Sequence, residues 1–364
     1  TIAVRCLSQT PFDLDTTFRT EIDPWYVSSV LPLGSGQLIV SGMFKFPGDL
    51  DFYSLARLNQ DGTKDPSFYT SGLGGGKLVE WSGMYYVGTS QTVRRILPTG
   101  YLDPDWTEMN AGPYFSSLQG GDYHVYPDGR VLLTGYHNLD DTIRGFVGGY
   151  NLIWFSNQGY LDTTRTHRAG DGTLYRIAEL PDGRFVCGGY MTEFEGHATT
   201  NVFRVYADGA YDTTFAAPIT WEFPQILRPL PDGRILCGGA FKVTGDPDTF
   251  SLVRLRTDGS LDPTFNNHLQ TRFDHSSDVA YAPITSISVL DDARYLITGA
   301  FTSIDGVERR SIAVVDTAGN LLDDPIGEAV GCGPYEYMSF TYASMRGAVM
   351  APSGDWYVFG AYHG

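Results

Sequence analysis

The chain has 364 residues, a formal net charge of −17, 43 glycines and four cysteines, and 14% of its residues are aromatic. The charge disfavours nucleic acid, whose binding rests on Lys and Arg at phosphates, and an anionic membrane surface as well. There is no apolar run of roughly eighteen residues to span a bilayer, and no amphipathic helix of about a dozen residues is expected.

The opening segment TIAVRCLSQTPFDLDTTF (1–18) reads as two short strands and does not resemble a signal peptide. A unit then repeats to the other end. The first copy (28–68) has a turn GSGQ (34–37), an apolar run closed by Gly42, and a tail KDPSF (64–68). The second (75–106) has the turn WSGM (81–84), Gly88 and LDPDW (102–106), and its shortness predicts a trimmed loop rather than a lost unit. The third (115–165) has PDGR (127–130), Gly135 and LDTTR (161–165). The fourth (174–215) spells LPDGRFVCGG at 180–189 and NVFRVYADGAYDTTF at 201–215. The fifth (224–265) spells LPDGRILCGG at 230–239 and SLVRLRTDGSLDPTF at 251–265. The sixth (284–326) has DDAR (291–294), Gly299 and LDDPI (322–326). The seventh (337–364) has PSGD (352–355) and Gly360.

Each unit reads as four short strands rich in β-branched, Leu and aromatic residues, with Gly, Asp and Pro in the turns. The seventh unit lacks its third and fourth strands, and residues 1–18 supply that pattern. The expected fold is all-β: one domain, a seven-bladed β-propeller of four-stranded antiparallel blades. The N-terminal strands would complete the last blade and close the ring, which removes two exposed sheet edges. Cys187 and Cys237 hold the same place in neighbouring units and are expected as free buried thiols; Cys6 and Cys332 are the other two.

The run LPDGRILCGG followed by LVRL and DGSLDPTF resembles the delta-60 repeat of bacterial β-propeller proteins. The resemblance is close in units four and five, fair in one and six, and degenerate in two, three and seven. It implies a propeller, often at a cell surface or in a large surface protein, and brings no catalytic motif.

Topology places the PDG and DG turns on one face and the longer connections on the other. Asp128, Asp182, Asp208, Asp232 and Asp258 on the turn face are expected in local turns rather than at a cation, because they sit on separate blades. The tail aromatics Phe18, Phe68, Trp106, Phe215 and Phe265 are expected as core, with Asp15, Asp65, Asp103, Asp212 and Asp262 capping backbone N–H groups. Binding is expected on the irregular loop face. The candidates are Trp25 and Tyr26 in DPWY, Trp221 and Glu222 in AAPITWEF, and His268, Arg272, His275 and Tyr281 in the crossing 266–283. Tyr335 and Tyr337 in GCGPYEY complete the set.

No G-x-S-x-G elbow is present, and the seven His show no ligand spacing. The expected function is therefore a non-enzymatic structural or interaction module, with no catalytic residue, metal or cofactor. Its partner would be a protein, within an assembly such as a phage virion or tail. The alternative is a bacterial surface or secreted module that binds protein or glycan; an enzyme with a site in the central channel comes third.

Overall fold

A computed structural model describes residues 15–107, 109, 115–273, 282–323, 335–337, 340–342 and 344–361. Among these residues every regular element is a strand. Antiparallel sheets follow one another along the chain, one per repeat unit. The first holds Asp23–Pro32, Leu38–Lys45 and Tyr53–Leu58. The second holds Leu78–Trp81, Met84–Gly88 and Val93–Ile96, so the short unit keeps its sheet and trims its loops. The third holds Phe115–Val125, Val131–Asp141 and Phe146–Phe155. The fourth holds Thr173–Glu179, Phe185–Tyr190 and Val202–Val205. The fifth holds Ile226–Pro229, Ile235–Val243 and Thr249–Leu255. The sixth holds Ile284–Asp291, Arg294–Gly299 and Ile312–Asp316. The last pairs Ser344–Met350 with Trp356–Ala361. Tyr335–Tyr337 and Phe340–Tyr342 form a separate ribbon before it.

The expected fourth strand is reduced to one bridge per unit: Leu58 to Lys64, Ile96 to Leu102, Phe155 to Leu161, Val205 to Tyr211, Leu255 to Leu261 and Val315 to Leu321. In the first five units the reason is the Asp that follows; the sixth has Leu322 at that place. Asp262 still donates its N–H to the Arg254 carbonyl (2.8 Å), but its carboxylate then accepts the N–H (3.0 Å) and hydroxyl (2.7 Å) of Thr264. A side chain that satisfies nearby backbone competes with a sheet ladder. Asp15, Asp65, Asp162 and Asp212 bond the residue two further on in the same way.

The same Asp anchors an arginine from the third strand. Arg57, Arg95, Arg204 and Arg254 donate Nε–H to Asp65, Asp103, Asp212 and Asp262 at 2.6–2.8 Å. Each guanidinium lies 4.7–5.1 Å over the tail aromatic, respectively Phe68, Trp106, Phe215 and Phe265. Each also reaches a backbone carbonyl in the next unit: Pro98, Asn157, Thr257 and Thr317. In the third unit the two residue types trade places. Trp154 stands at the arginine position and Arg165 at the tail, 5.8 Å from the Trp154 ring and 3.8 Å from Asp162.

The apolar core is divided into layers between consecutive sheets. Val186 and Val202 pack with Ile235, Val253 and Leu255; Leu236 and Leu252 pack with Ile297 and Ala313. The layer on the outer side of the first sheet joins Leu38, Val40 and Phe44 to Phe18, Ile22 and Tyr357, the last from the final sheet. The first strands of most successive sheets also touch, and Asp23–Pro32 touches both strands of the last sheet.

Candidate functional site

The crossings between sheets pair with the ends of the second strands or with the hairpins that follow them. Ile219–Thr220 pairs with Val243 and Lys242, and Thr271–Arg272 pairs with Ile304 and Ser303. This pairing sets the two kinds of long connection on one face. The tails dock on the opposite face, where the Ala216 N–H bonds the Asp258 carbonyl (2.9 Å) and the Asn266 N–H bonds Ala318. On that turn face Asp128, Asp182, Asp208, Asp232 and Asp258 each accept a backbone N–H two residues on, at 2.9–3.1 Å. Among the described residues no three His, Cys, Asp or Glu side chains group as metal ligands.

On the loop face the structure brings Trp221 and Glu222 together with residues the sequence reading missed. The Thr220 carbonyl accepts the Glu222 N–H at 3.0 Å, and Trp221 between them has φ +72°. This is the rare positive-φ form of the γ-turn, which is strained for a residue with a Cβ. The strain is not offset by burial, since the Trp221 side chain is 57% exposed. The Lys242 ammonium lies 5.9 Å from the centre of the indole. The Tyr190 hydroxyl donates to the Glu222 carboxylate, and Tyr190 is itself 43% exposed. Phe223, the next residue, stacks on Tyr175 (4.9 Å) and meets Tyr190 edge-on (5.0 Å). Tyr190 was legible in principle: it follows the repeated CGG, where the fifth unit has Ala240.

The remaining candidates lie elsewhere. His268 is exposed and packs against Phe250 of the fifth sheet. Arg272 is exposed in the short strand Thr271–Arg272. Tyr26 lies under the Arg346 guanidinium (4.5 Å) where the first and last sheets meet. Trp25, Tyr335 and Tyr337 belong to strands, Asp23–Pro32 for the first and the separate ribbon for the other two. His275 and Tyr281 lie outside the described residues.

The first strands carry a second set of polar groups, and these link sheet to sheet. Lys77 of the linker before the second sheet donates to Asp122 (3.0 Å) and to the Tyr123 carbonyl (2.7 Å). Arg176 donates to the backbone carbonyl and the side chain of Gln225. Thr285 donates to the Met345 carbonyl at 2.9 Å. Cys187 and Cys237 are free and buried, and burial pushes both thiols well above their usual range, away from the reactive thiolate. Cys6 and Cys332 lie outside the described residues. Burial, foremost, lowers His124, His137 and His167 to about 4.

A family profile described as a domain of unknown function (DUF5122) beta-propeller matches residues 34–68 and 230–265. Among curated proteins none matches. One similar solved structure is described as the extracellular domain of a hybrid two component system from B. thetaiotaomicron, with 11% identity and a TM-score of 0.50. The match covers 93% of this chain and 40% of that one. A second extracellular domain from the same organism matches at 14% identity and TM-score 0.47, over 93% of this chain and 38% of its own. The computationally designed Ika8 protein matches at 11% identity and TM-score 0.47, over 95% and 99% of the two chains. This chain thus spans about two fifths of either B. thetaiotaomicron chain. The sheet order, the profile and the first of these structures together make the fold a β-propeller.

Proposed function

We propose that this propeller is a non-enzymatic interaction module that works through its loop face, with the Tyr190–Trp221–Glu222 cluster as the contact point. The observation that carries the reading is the exposed, positive-φ Trp221, with Lys242 at its ring and Glu222 next to it held by Tyr190. Exposed Trp and Tyr on rigid supports are frequent anchors of binding. The support is a closed seven-bladed ring. Three contacts at the seam favour closure: Phe18 on Tyr357 (5.4 Å), Arg346 over Tyr26, and the Arg19 N–H on the Asp61 carbonyl (2.8 Å). The last repeats the way Ala216 and Asn266 dock on the next unit. The polar groups of the first strands serve this ring rather than a reaction, because Lys77, Arg176 and Thr285 are engaged by neighbouring sheets.

The test is affinity capture from the native source. Wild type and a loop-face variant, Tyr190→Ala with Trp221→Ala, are compared with a turn-face variant, Asp258→Ala. A partner retained by wild type and the turn-face variant but lost by the loop-face variant supports the reading. Equal capture by all three defeats it. Recovery of the protein in dense particles makes the partner a structural neighbour in an assembly such as a phage virion. Recovery at the bacterial surface or in the medium makes it a secreted or surface module, the setting of the extracellular propellers it is similar to.

A further inference from the structure

We infer that the Trp221 platform is a binding site for a neutral sugar ring. The inference deepens the loop-face reading and rests on it. A pyranose offers an apolar C–H face with hydroxyls around its edge, and the platform offers the complement. The indole is flat and 57% exposed. The Lys242 ammonium, a donor, lies 5.9 Å from the ring centre, and the next residue, Glu222, brings a carboxylate acceptor that the Tyr190 hydroxyl already meets. Aromatic rings with one apolar side and a polar neighbour suit a ligand that is itself two-sided.

Other ligand classes fit less well. A cation would approach the indole face by cation–π attraction, but Lys242 already places a positive charge at that ring. A polyanion meets a chain of net charge −17 and the Glu222 carboxylate. A neutral polyhydroxylated ring meets neither objection.

The platform is also held rather than loose. Ile219–Thr220 is tied to Val243 and Lys242 in register, so the residue just before the indole is paired with the one that carries the ammonium. Phe223, buried between Tyr175 and Tyr190, fixes the base. Binding then costs little reordering of the site. The positive φ at Trp221 is the other sign. A glycine would take that conformation without strain, so the exposed indole is held there at a conformational cost.

The experiment is a titration of the intact chain, labelled with ¹⁵N, with maltotriose, cellotriose, mannotriose and a galactan trisaccharide in turn. The readout is the indole N–H of Trp221, assigned by its absence in Trp221→Phe. We expect one of these sugars to shift that resonance saturably, and Trp221→Gly to weaken binding by about tenfold or more. The glycine variant should melt no lower than wild type, because it relieves the positive-φ strain; a residue kept only for folding would show the reverse. Glu222→Gln, which keeps the shape and removes the charge, should weaken binding less than Trp221→Gly. If none of the sugars moves the Trp221 resonance, or if Trp221→Gly binds as wild type does, the sugar assignment is overturned. Loss of a captured protein partner in Trp221→Gly with no sugar response also overturns it, and leaves the interaction module standing.

Discussion

The arginine of the third strand is the residue on which three contacts converge: its own Asp, the tail aromatic and the next unit's carbonyl. Arg254 is almost fully buried, so its removal leaves Asp262 with the more exposed Arg234 at 3.1 Å as its remaining cation among the described residues. Arg254→Ala is therefore expected to cost about 3 kcal/mol, as breaking a buried pair does. Urea unfolding measures it, and a cost below roughly 1 kcal/mol would mean that the staple is idle. Titration gives a second residue-scale expectation. His137 and His167 are lowered by burial from 6.5 to about 4. The unfolded chain then binds their protons first, so stability falls as pH drops from about 6.5 towards 4, on the order of 2–3 kcal/mol per histidine. Asp212 and Asp262 behave in the other sense. Burial opposes their charge, but Thr214 and Arg204, and Thr264 with Arg234 and Arg254, outweigh it and hold both carboxyls well below the usual range. Their contribution is complete above 3.8 and is lost only as pH falls through their lowered values. Denaturant curves at neutral pH and near pH 4.5 should differ in wild type and differ less in His137→Asn, where His124 and His167 still contribute; equal wild-type curves would refute the assignment.

At the scale of the strand, the recurring glycine has a reason that the sequence only marks. The first strand bulges opposite it: the register steps from Leu174–Gly189 to Arg176–Gly188, and Tyr175 is left over. A Cβ on Gly189 would sit 2.1 Å from the Thr173 carbonyl oxygen. The same misfit recurs at Gly42 and Gly299, against the carbonyl oxygens of Tyr26 and Pro283. Gly189→Ala should cost roughly 2 kcal/mol or more, whereas Gly34→Ala, with nothing within 4 Å of the added atom, should be nearly neutral. Equal losses in a paired unfolding experiment would show that the bulge yields. The extra residues also explain what the sequence hides. Bulges re-aim side chains, and here each aims at the next sheet: Ser28 at the Gly75 carbonyl (2.6 Å), Tyr175 at Phe223, Thr285 at Met345, Arg346 at Tyr26. Repeat spacing revealed the sheets, the tail core and the Asp turns, since these recur at fixed phase. It did not reveal the Arg staple's second target or the partners of Trp221. The former are contacts some forty to sixty residues apart and the latter some twenty to thirty, neither at a fixed repeat phase, and the fourth strand failed because Asp chemistry at the tail outcompetes a ladder. Trp221 and Glu222 were legible as unusual loop residues, while Tyr190 and Lys242 join them only through pairing of the crossing with the second strand.

For the whole molecule, the layered core makes every sheet depend on its neighbours. Deleting residues 1–18 removes Phe18 from the layer it shares with Leu38, Val40 and Tyr357, and under the proposed closure would bare strand edges. The truncated chain is expected to aggregate or oligomerise in size-exclusion chromatography; a monomer with unchanged melting would refute closure through this segment. The forward-pointing bulge residues carry a further consequence. Each unit offers one kind of surface to its successor and receives another from its predecessor, which is the head-to-tail arrangement that yields a ring when the rotation closes and a filament when it does not. On the closed ring proposed above, the chain would be a short polymer whose two ends find each other before they find a second molecule. Splitting it in a crossing should leave two pieces with matching sticky ends, able to rejoin in trans, and a piece alone would grow by adding copies of itself.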